Sequence, residues 1–344
     1  MKTLLNISIP TYNRSHYLLK CLDSISTAVS KLPLVDQALI SIFVSDNSED
    51  ELSEKVIGES KFENLNIYYS RNTVNIGSDK NIAKCYLYSD SEYVMILGDD
   101  DFLSENALLT ILPILKRRVQ VILFLRAFGL TDSKDYNRKD VVRNYQQYNS
   151  MVDVLLFRNI HLAFISSMIF KRDEYTSELV NKGVGTQLVQ LNLVLYLLQK
   201  VKGDSLFIDA NLVRSTRNNT GGYDPVDIFV VKFFKLLKEY NNLDMTKRQI
   251  YILKRKLLHT FYNRSLAQYM RKSGKSLSTL NIGLLDNFYQ GMLVYTIFYR
   301  PMFVWHSSFS FYALSISYIA ANIMYYPKMK TADFIYHLKN RLSK

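Results

Sequence analysis

Over its first 125 residues the chain alternates short apolar blocks with stretches of helical period. Residues 4–9 (LLNISI) form an apolar run that stops at Pro10-Thr11, the pattern of a buried strand feeding a loop. Residues 15–32 change period, with Tyr17, Leu18, Leu22 and Ile25 recurring on one helical face. A second apolar run, 39–44 (LISIFV), is closed by Ser45-Asp46-Asn47-Ser48, which can also cap a helix beginning near Glu51. Residues 65–70 predict a third strand, Asn75-Ile76-Gly77 a turn, and 79–89 a helix. Residues 92–97 predict a fourth strand that runs into Gly98-Asp99-Asp100-Asp101, with a helix from about Ser104 and another strand at 119–125. This alternation predicts an α/β layer with a mainly parallel sheet. Ligands of such sheets sit beyond the carboxyl ends of the strands, so the polar residues to weigh are 11–14, 46–48, 70–75 and 99–101.

From about residue 228 the pattern changes. Residues 228–272 read as basic helix rich in Tyr and Phe, and 281–326 are mostly apolar. Residues 307–326 carry no formal charge and reach the length needed to span a bilayer. Ser307, Ser308, Ser310, Ser315, Ser317 and Asn322 lower their hydropathy, which favours a buried helical pair, or a helix in the membrane interface beside Arg300, Lys328 and Lys330. The division expected is an α/β domain over 1–225 and a helical, basic, aromatic appendage over 226–344.

Charge sharpens that division. The chain carries a net +12, yet residues 228–344 hold 18 Lys/Arg against 4 Asp/Glu, leaving the remainder slightly acidic. A segregated basic surface suits an anionic partner: lipid headgroups, a lipid-linked diphosphate or nucleic acid. The absence of a DNA- or RNA-binding module argues against the last. The two cysteines, Cys21 and Cys85, lack the spacing of a zinc site or a disulfide framework, which fits a reducing cytoplasm. The N-terminal apolar run is short and broken by Asn6 and Pro10, so it reads as a strand rather than a signal peptide.

Three adjacent carboxylates repel one another and serve a fold poorly. After an apolar strand and a glycine, Asp99-Asp100-Asp101 suits a hard cation, Mg²⁺ or Mn²⁺, bridging a diphosphate and neutralising a leaving group. An acidic turn capping the next helix is the alternative. Asp46 can accept hydrogen bonds from a base or ribose, or serve as ordinary turn chemistry. Lys80, Arg71 and Arg14 can offer positive charge to a diphosphate or remain solvated surface.

Together these segments resemble the family 2 glycosyltransferases. Ser8-Ile9-Pro10-Thr11-Tyr12-Asn13-Arg14 is similar to that family's opening strand and loop, and Val44-Ser45-Asp46-Asn47-Ser48 to its nucleobase-facing motif. Asn75-Ile76-Gly77 with Asn81 resembles its third motif, and Leu97-Gly98-Asp99-Asp100-Asp101 its DxD region. The glycine before three aspartates resembles the abequosyltransferase-like subgroup of O-antigen and capsule enzymes. Order and spacing match over about residues 4–125. The resemblance implies a GT-A fold with a nucleotide-binding half over about 1–125 and an acceptor half over about 126–225. It implies a nucleotide-sugar donor held by Pro10, Thr11, Tyr12, Arg14, Asp46, Asn75, Lys80 and Asp99, and Mn²⁺ or Mg²⁺ on Asp100 with Asp101. It further implies a lipid-linked oligosaccharide acceptor and a place on the cytoplasmic face of the plasma membrane, against an anionic surface.

One departure stands out. The family places an acidic general base some 85–95 residues after the DxD region, where this chain reads Gly185-Thr186-Gln187-Leu188. Asp173, Glu174 and Glu178 lie nearby, and His161 opens a strand-like segment, HLAFISSMIF, that can line an acceptor pocket. Either one of Asp173, Glu174 and Glu178 takes the role or the mechanism differs, so the stereochemical course stays open; Asp100, Asp173, Glu174 and His161 are the catalytic candidates. The polar loop 214–223, with Arg217, is placed to close over a donor. A nucleotidyl- or sugar-phosphate transferase lacks support, because no Gly-rich phosphate loop follows the first strand. A catalytically degenerate nucleotide-sugar binder is the remaining alternative.

Overall fold

The computed structural model describes residues 3–58, 62–88, 90–129, 141–148, 150–172, 176–200, 204–215, 226–240, 245–271 and 282–300. These divide into two compact units, one of 1–222 with 232–245, the other of 223–231 with 246–344. Relative to a boundary at 225/226, the short segment 232–245 groups with the first unit.

The first unit is built on a nine-stranded sheet. Its strands are β1 (Leu5–Thr11), β2 (Ile40–Asp46), β3 (Ile67–Arg71), β4 (Tyr93–Ile96), β5 (Asp101–Leu103), β6 (Gln120–Gly129), β7 (Tyr145–Tyr148), β8 (Met168–Lys171) and β9 (Asp204–Ser215). Their spatial order is β3-β2-β1-β4-β8-β6-β9-β5, with β7 on β9. The quartet β3-β2-β1-β4 is parallel, as is β6 with β9. Strand β8 runs antiparallel between β4 and β6, and β5 and β7 pair antiparallel to β9. Helices α1 (Ser15–Ser30), α2 (Leu34–Gln37), α3 (Leu52–Ile57), α4 (Ser78–Tyr88), α5 (Ala107–Leu115), α6 (Met151–Arg158), α7 (Thr176–Gly183), α8 (Val189–Lys200) and α9 (Phe233–Glu239) complete the unit.

The two faces of β1 differ in chemistry. Leu5, Ile7 and Ile9 join the apolar cluster with Leu18, Leu22 and Ile25 of α1, the stripe the 3.6-residue period predicts. The opposite face carries Asn6 and Ser8, and there α4 meets the sheet through a buried polar seam. Asn6 Nδ2 donates to Ser41 Oγ at 2.9 Å, and Ser8 Oγ to the Cys85 carbonyl at 2.9 Å. Asn81 of α4 accepts from Ser45 Oγ at 2.6 Å and donates to the Ser45 carbonyl at 3.1 Å. Buried polar groups that are fully paired fix a single register, where apolar packing alone tolerates slippage.

Two expectations change. Residues 101–103 form β5 before the helix rather than a loop, because they pair with 213–215 of β9. Residues 161–170 do not form one strand: Asn159–Ala163 and Ile165–Ser167 are 3₁₀ turns, and only Met168–Lys171 extends, held between β4 and β6.

The second unit contains α10 (Lys247–Arg271) and α11 (Ile282–Phe288) and ends, among its described residues, in a wide helical turn over Tyr295–Tyr299. Leu253, Leu257, Leu258, Leu285, Tyr289 and Tyr299 are buried. His259 Nδ1 lies 3.0 Å from the Tyr299 hydroxyl, and Arg300 clamps Asp286 with Nε and Nη2 at 2.8 and 3.0 Å. Among the described residues no helix is long and apolar enough to cross a membrane. The segment 307–326 lies outside the described residues.

Candidate active site

Strand register sets the site. Thr11 pairs with Asp46 and Asp46 with Arg71, so three strand ends form one row. Ser8 pairs with Ile96, so β4 stops short and residues 97–99 run on beside Ile9, Pro10 and Thr11. Asp99 therefore arrives opposite Thr11, whose hydroxyl donates to Asp99 Oδ2 at 2.8 Å.

The acidic turn closes on itself through the Asp101 N–H to the Gly98 carbonyl, 3.0 Å. Glycine at 98 eases a crowded spot: a Cβ there would lie 3.2 Å from Asp101 Oδ2, 3.3 Å from Asp100 Oδ1 and 3.5 Å from Ser166 Oγ. The three carboxylates point to different partners. Asp99 is buried and bound by Thr11 and by Arg14 Nη1 at 3.2 Å. Asp101 is buried and accepts from the Ser166 hydroxyl, while Ser166 Oγ also takes the Gly98 N–H at 2.9 Å. Asp100 alone is substantially open, its side chain 24% exposed with Oδ2 3.4 Å from Arg14 Nη1. Burial pushes the Asp99 carboxyl up to about 6 against the pull of Arg14 and Thr11. Burial likewise pushes Asp101 up to about 7, opposed by the Ser166 and Ser215 hydroxyls.

Arg14 reaches this corner because the chain turns sharply after β1. Asn13 is left-handed at φ 53°, its N–H is held by Ser48 Oγ at 2.7 Å, and the Arg14 carbonyl accepts the first α1 amides from Tyr17 and Leu18. Tyr12 is 44% exposed beside it, and Pro10 is half-buried.

Asp46 is fully buried. Its Oδ1 accepts the Ser48 N–H at 2.8 Å and its Oδ2 the Tyr69 hydroxyl at 3.0 Å, one donor on each oxygen. Burial, then the bond to Asp46, pushes the Tyr69 phenol up. Asn75 folds its Oδ1 onto the Gly77 N–H at 2.9 Å in an exposed turn. Lys80 is exposed on α4 and, with Lys84, Leu87, Tyr88, Asn181 and Val184, borders a cavity of about 320 Å³. Lys84 reaches back to Ser70 Oγ and Asn72 Oδ1 at 2.9 and 2.7 Å. Arg71 donates to the Asp50 carbonyl at 3.2 Å on the exposed side of the row.

The residues considered for the base separate. His161 sits exposed in a 3₁₀ turn, and Glu178 is exposed and paired with Lys182 at 2.7 Å. Asp173, Glu174 and Arg217 lie outside the described residues. Cys21 and Cys85 are buried free thiols.

For a divalent cation the donor set is specific. Among the described residues no three His, Cys, Asp or Glu side chains converge as a complete cage. Asp99 and Asp101 are committed to Thr11, Arg14 and Ser166, which leaves Asp100 as the accessible oxygen donor. That fits a hard cation bound by one carboxylate together with phosphate oxygens and water, the usual habit of Mg²⁺. Asp101, the other residue expected to hold the cation, is buried with its Oδ2 on the Ser166 hydroxyl. Reading by composition missed Ser166, Tyr69 and Lys84, whose roles come from register and not from any local pattern.

The glycosyl transferase family 2 description matches residues 7–176. Over 184 residues the chain is 33% identical to abequosyltransferase RfbV of Salmonella typhimurium, an alignment taking in 50% of this chain and 54% of that protein. The chain thus spans about half the length of this curated relative. Among solved structures it resembles S. aureus TarS, at a TM-score of 0.55 and 14% identity over 93% of this chain and 55% of that one. It also resembles S. aureus TarS 1–349 in complex with UDP-GlcNAc, at 0.53 and 15% identity over 96% and 93% of the two chains. At such identity these likenesses speak for the fold alone, which is GT-A. The matched segment spans the strands and loops that carry Thr11, Asp46 and Asp99-Asp100-Asp101, so residues 7–176 form a family 2 glycosyltransferase segment, in a chain similar to an abequosyltransferase.

Proposed function

We propose that this protein is a glycosyltransferase that moves a sugar from a nucleotide-diphosphate donor onto a lipid-linked oligosaccharide in O-antigen or capsule assembly. The observation that carries this reading is Asp100, the one carboxylate of the acidic turn left open, beside Arg14 and next to the strand-end row of Thr11 and Asp46. Asp100 is the residue that would hold Mn²⁺ or Mg²⁺, which when bound neutralises charge growing on the departing nucleoside diphosphate. Arg14, at 3.2 and 3.4 Å from Asp99 and Asp100, orients the acidic turn and adds a fixed positive charge beside the diphosphate. The row from Thr11 to Arg71 offers the nucleoside a floor, with Asp46 anchored by Tyr69 and Ser48. The UDP-GlcNAc in complex with TarS 1–349 makes a uridine nucleotide the first to try. The basic segment 226–344 supports work at the cytoplasmic face of an anionic membrane.

The test is hydrolysis of UDP-, GDP-, CDP- and dTDP-sugars with and without Mn²⁺, beside Asp100→Ala. Metal-dependent turnover of one donor, reduced at least about 100-fold in Asp100→Ala, is the expected outcome. Gln187 in place of a carboxylate favours a second reading, a degenerate nucleotide-sugar binder. That reading requires metal-dependent donor binding with no turnover of any donor.

A further inference from the structure

A hydroxyl attacking an anomeric carbon must lose its proton, and a positioned carboxylate near the attacking oxygen is the usual acceptor. At the edge described above Asp46, Asp99 and Asp101 are buried and bonded, and Asp100, the candidate cation donor, faces Arg14. Asp79, in the first turn of α4 after β3, is placed differently. Its Oδ2 accepts the N–H groups of both Gly185 and Gln187, each at 2.8 Å, across more than a hundred residues of sequence. The loop 185–187, which carries no carboxylate of its own, therefore wraps around one supplied by another element.

The surroundings suit an approaching substrate. Gly77 and Gly185, on either side of Asp79, adopt φ of 85° and 90°, and a Cβ on either would meet nothing within 4 Å. The backbone flanking the carboxylate thus borders open space. Asn47, next to Asp46, reaches the Gly77 carbonyl through Nδ2 at 3.4 Å, which joins this spot to the strand-end row. Gln187 is held left-handed at φ 61°, and its Oε1 is taken by Lys232 Nζ at 2.6 Å, so its amide oxygen is engaged. Such strained residues persist where neighbours over-determine them, often at working sites. Charged side chains on the elements packed around Asp79 are Lys80 and Lys84 on α4, Asp46 on β2, Glu178 and Lys182, paired on α7, and Lys232.

We propose that Asp79 is the general base, standing in space where the chain lacks a carboxylate at 185–188. This assignment rests on the glycosyl-transfer reading. The acceptor O–H proton passes to Asp79, the acceptor oxygen bonds to the anomeric carbon, and the bond from that carbon to the diphosphate oxygen breaks with its electron pair leaving on the nucleoside diphosphate.

Asp79→Asn separates base from brace, since an amide oxygen still accepts both N–H groups but takes no proton at neutral pH. Asp79→Ala removes both roles. The assay is hydrolysis of whichever donor the wild-type protein turns over, with water as acceptor, read as kcat and KM across pH, alongside melting temperature. Expected is a fall in kcat of about 10²–10⁴-fold in Asp79→Asn with donor KM and melting temperature held. Near-normal kcat in Asp79→Asn with collapse in Asp79→Ala makes Asp79 a loop brace and overturns the assignment. If Asp100→Ala loses turnover while Asp79→Asn keeps it, the transfer reading stands and only the base is wrong. No turnover of any donor by the wild-type protein sinks both.

Discussion

Tyr69 gives Asp46 one of its two hydrogen bonds and the Ser48 amide gives the other, so a fully buried carboxylate depends on a phenol from the neighbouring strand. Tyr69→Phe deletes one oxygen and leaves Asp46 Oδ2 without that donor, at a cost of about 1–3 kcal/mol. The expected result is a lower melting temperature by calorimetry, with nucleotide affinity weakened about fivefold or more in equilibrium titrations. A variant that binds nucleotide as tightly as wild type would show that Asp46 does not depend on Tyr69 for its place. Asp46 and Asp99–Asp101 are legible in sequence because a polar stop after an apolar run is a local signal. Tyr69 is not, since nothing in an alternating LNIYYS marks which tyrosine meets which carboxylate. Ser166 is more remote still: its grip on Asp101 crosses 65 residues and is fixed only when β8 settles between β4 and β6. Asp79 belongs to the same class, an ordinary first-turn helix acid until the 185–187 loop closes on it.

At the level of elements, strands β1, β2 and β4 are legible as short runs rich in Ile, Leu, Val and Phe, covered on each side by helices or by the polar seam. Strands β5, β7 and β8 are three or four residues long, and pairing with distant chain decides them. The seam under α4 makes its own prediction. Asn81→Ala strips partners from Ser45 Oγ and from the Ser45 carbonyl in a buried setting, at a cost of about 2–3 kcal/mol. In a unit of this size that corresponds to a fall in melting temperature of about 4–12 °C. An unchanged melting temperature would mean the seam is bridged without Asn81. In the helical unit, the Arg300 hydrogen bonds hold the Asp286 carboxyl below its usual value. A depressed carboxyl contributes stability above the unfolded-state value and loses it as pH falls through the folded one. Amide exchange over 282–300 is therefore expected to quicken as pH drops below about 4, beyond the intrinsic change, and Asp286→Asn to flatten that dependence. The pair is partly exposed, so the effect is small, about 0.2–1 kcal/mol.

For the whole molecule, the informative sequence feature is the distribution of charge rather than its total. With 18 basic and 4 acidic residues over 228–344, binding to vesicles containing anionic lipid should fall severalfold between about 0.1 and about 0.5 M NaCl. Co-sedimentation insensitive to salt, or absent, would remove the electrostatic basis for membrane work. The change of character near 228 is visible in composition, but the path of the chain through it is not. Residues 223–231 belong with the helical unit, 232–245 with the α/β unit, and 246 onward with the helical unit again. The returning segment brings Lys232 to Gln187 and the Tyr240 hydroxyl to the Asn192 carbonyl at 2.9 Å. A gene fusion joined at 225, where composition suggests a seamless cut, would leave the α/β unit without the lysine that fastens its 185–187 loop. Recombination can trade the helical tail between relatives without losing that contact only if the crossover falls after residue 245, so the lineage of this stretch should follow the α/β unit and not the tail it adjoins.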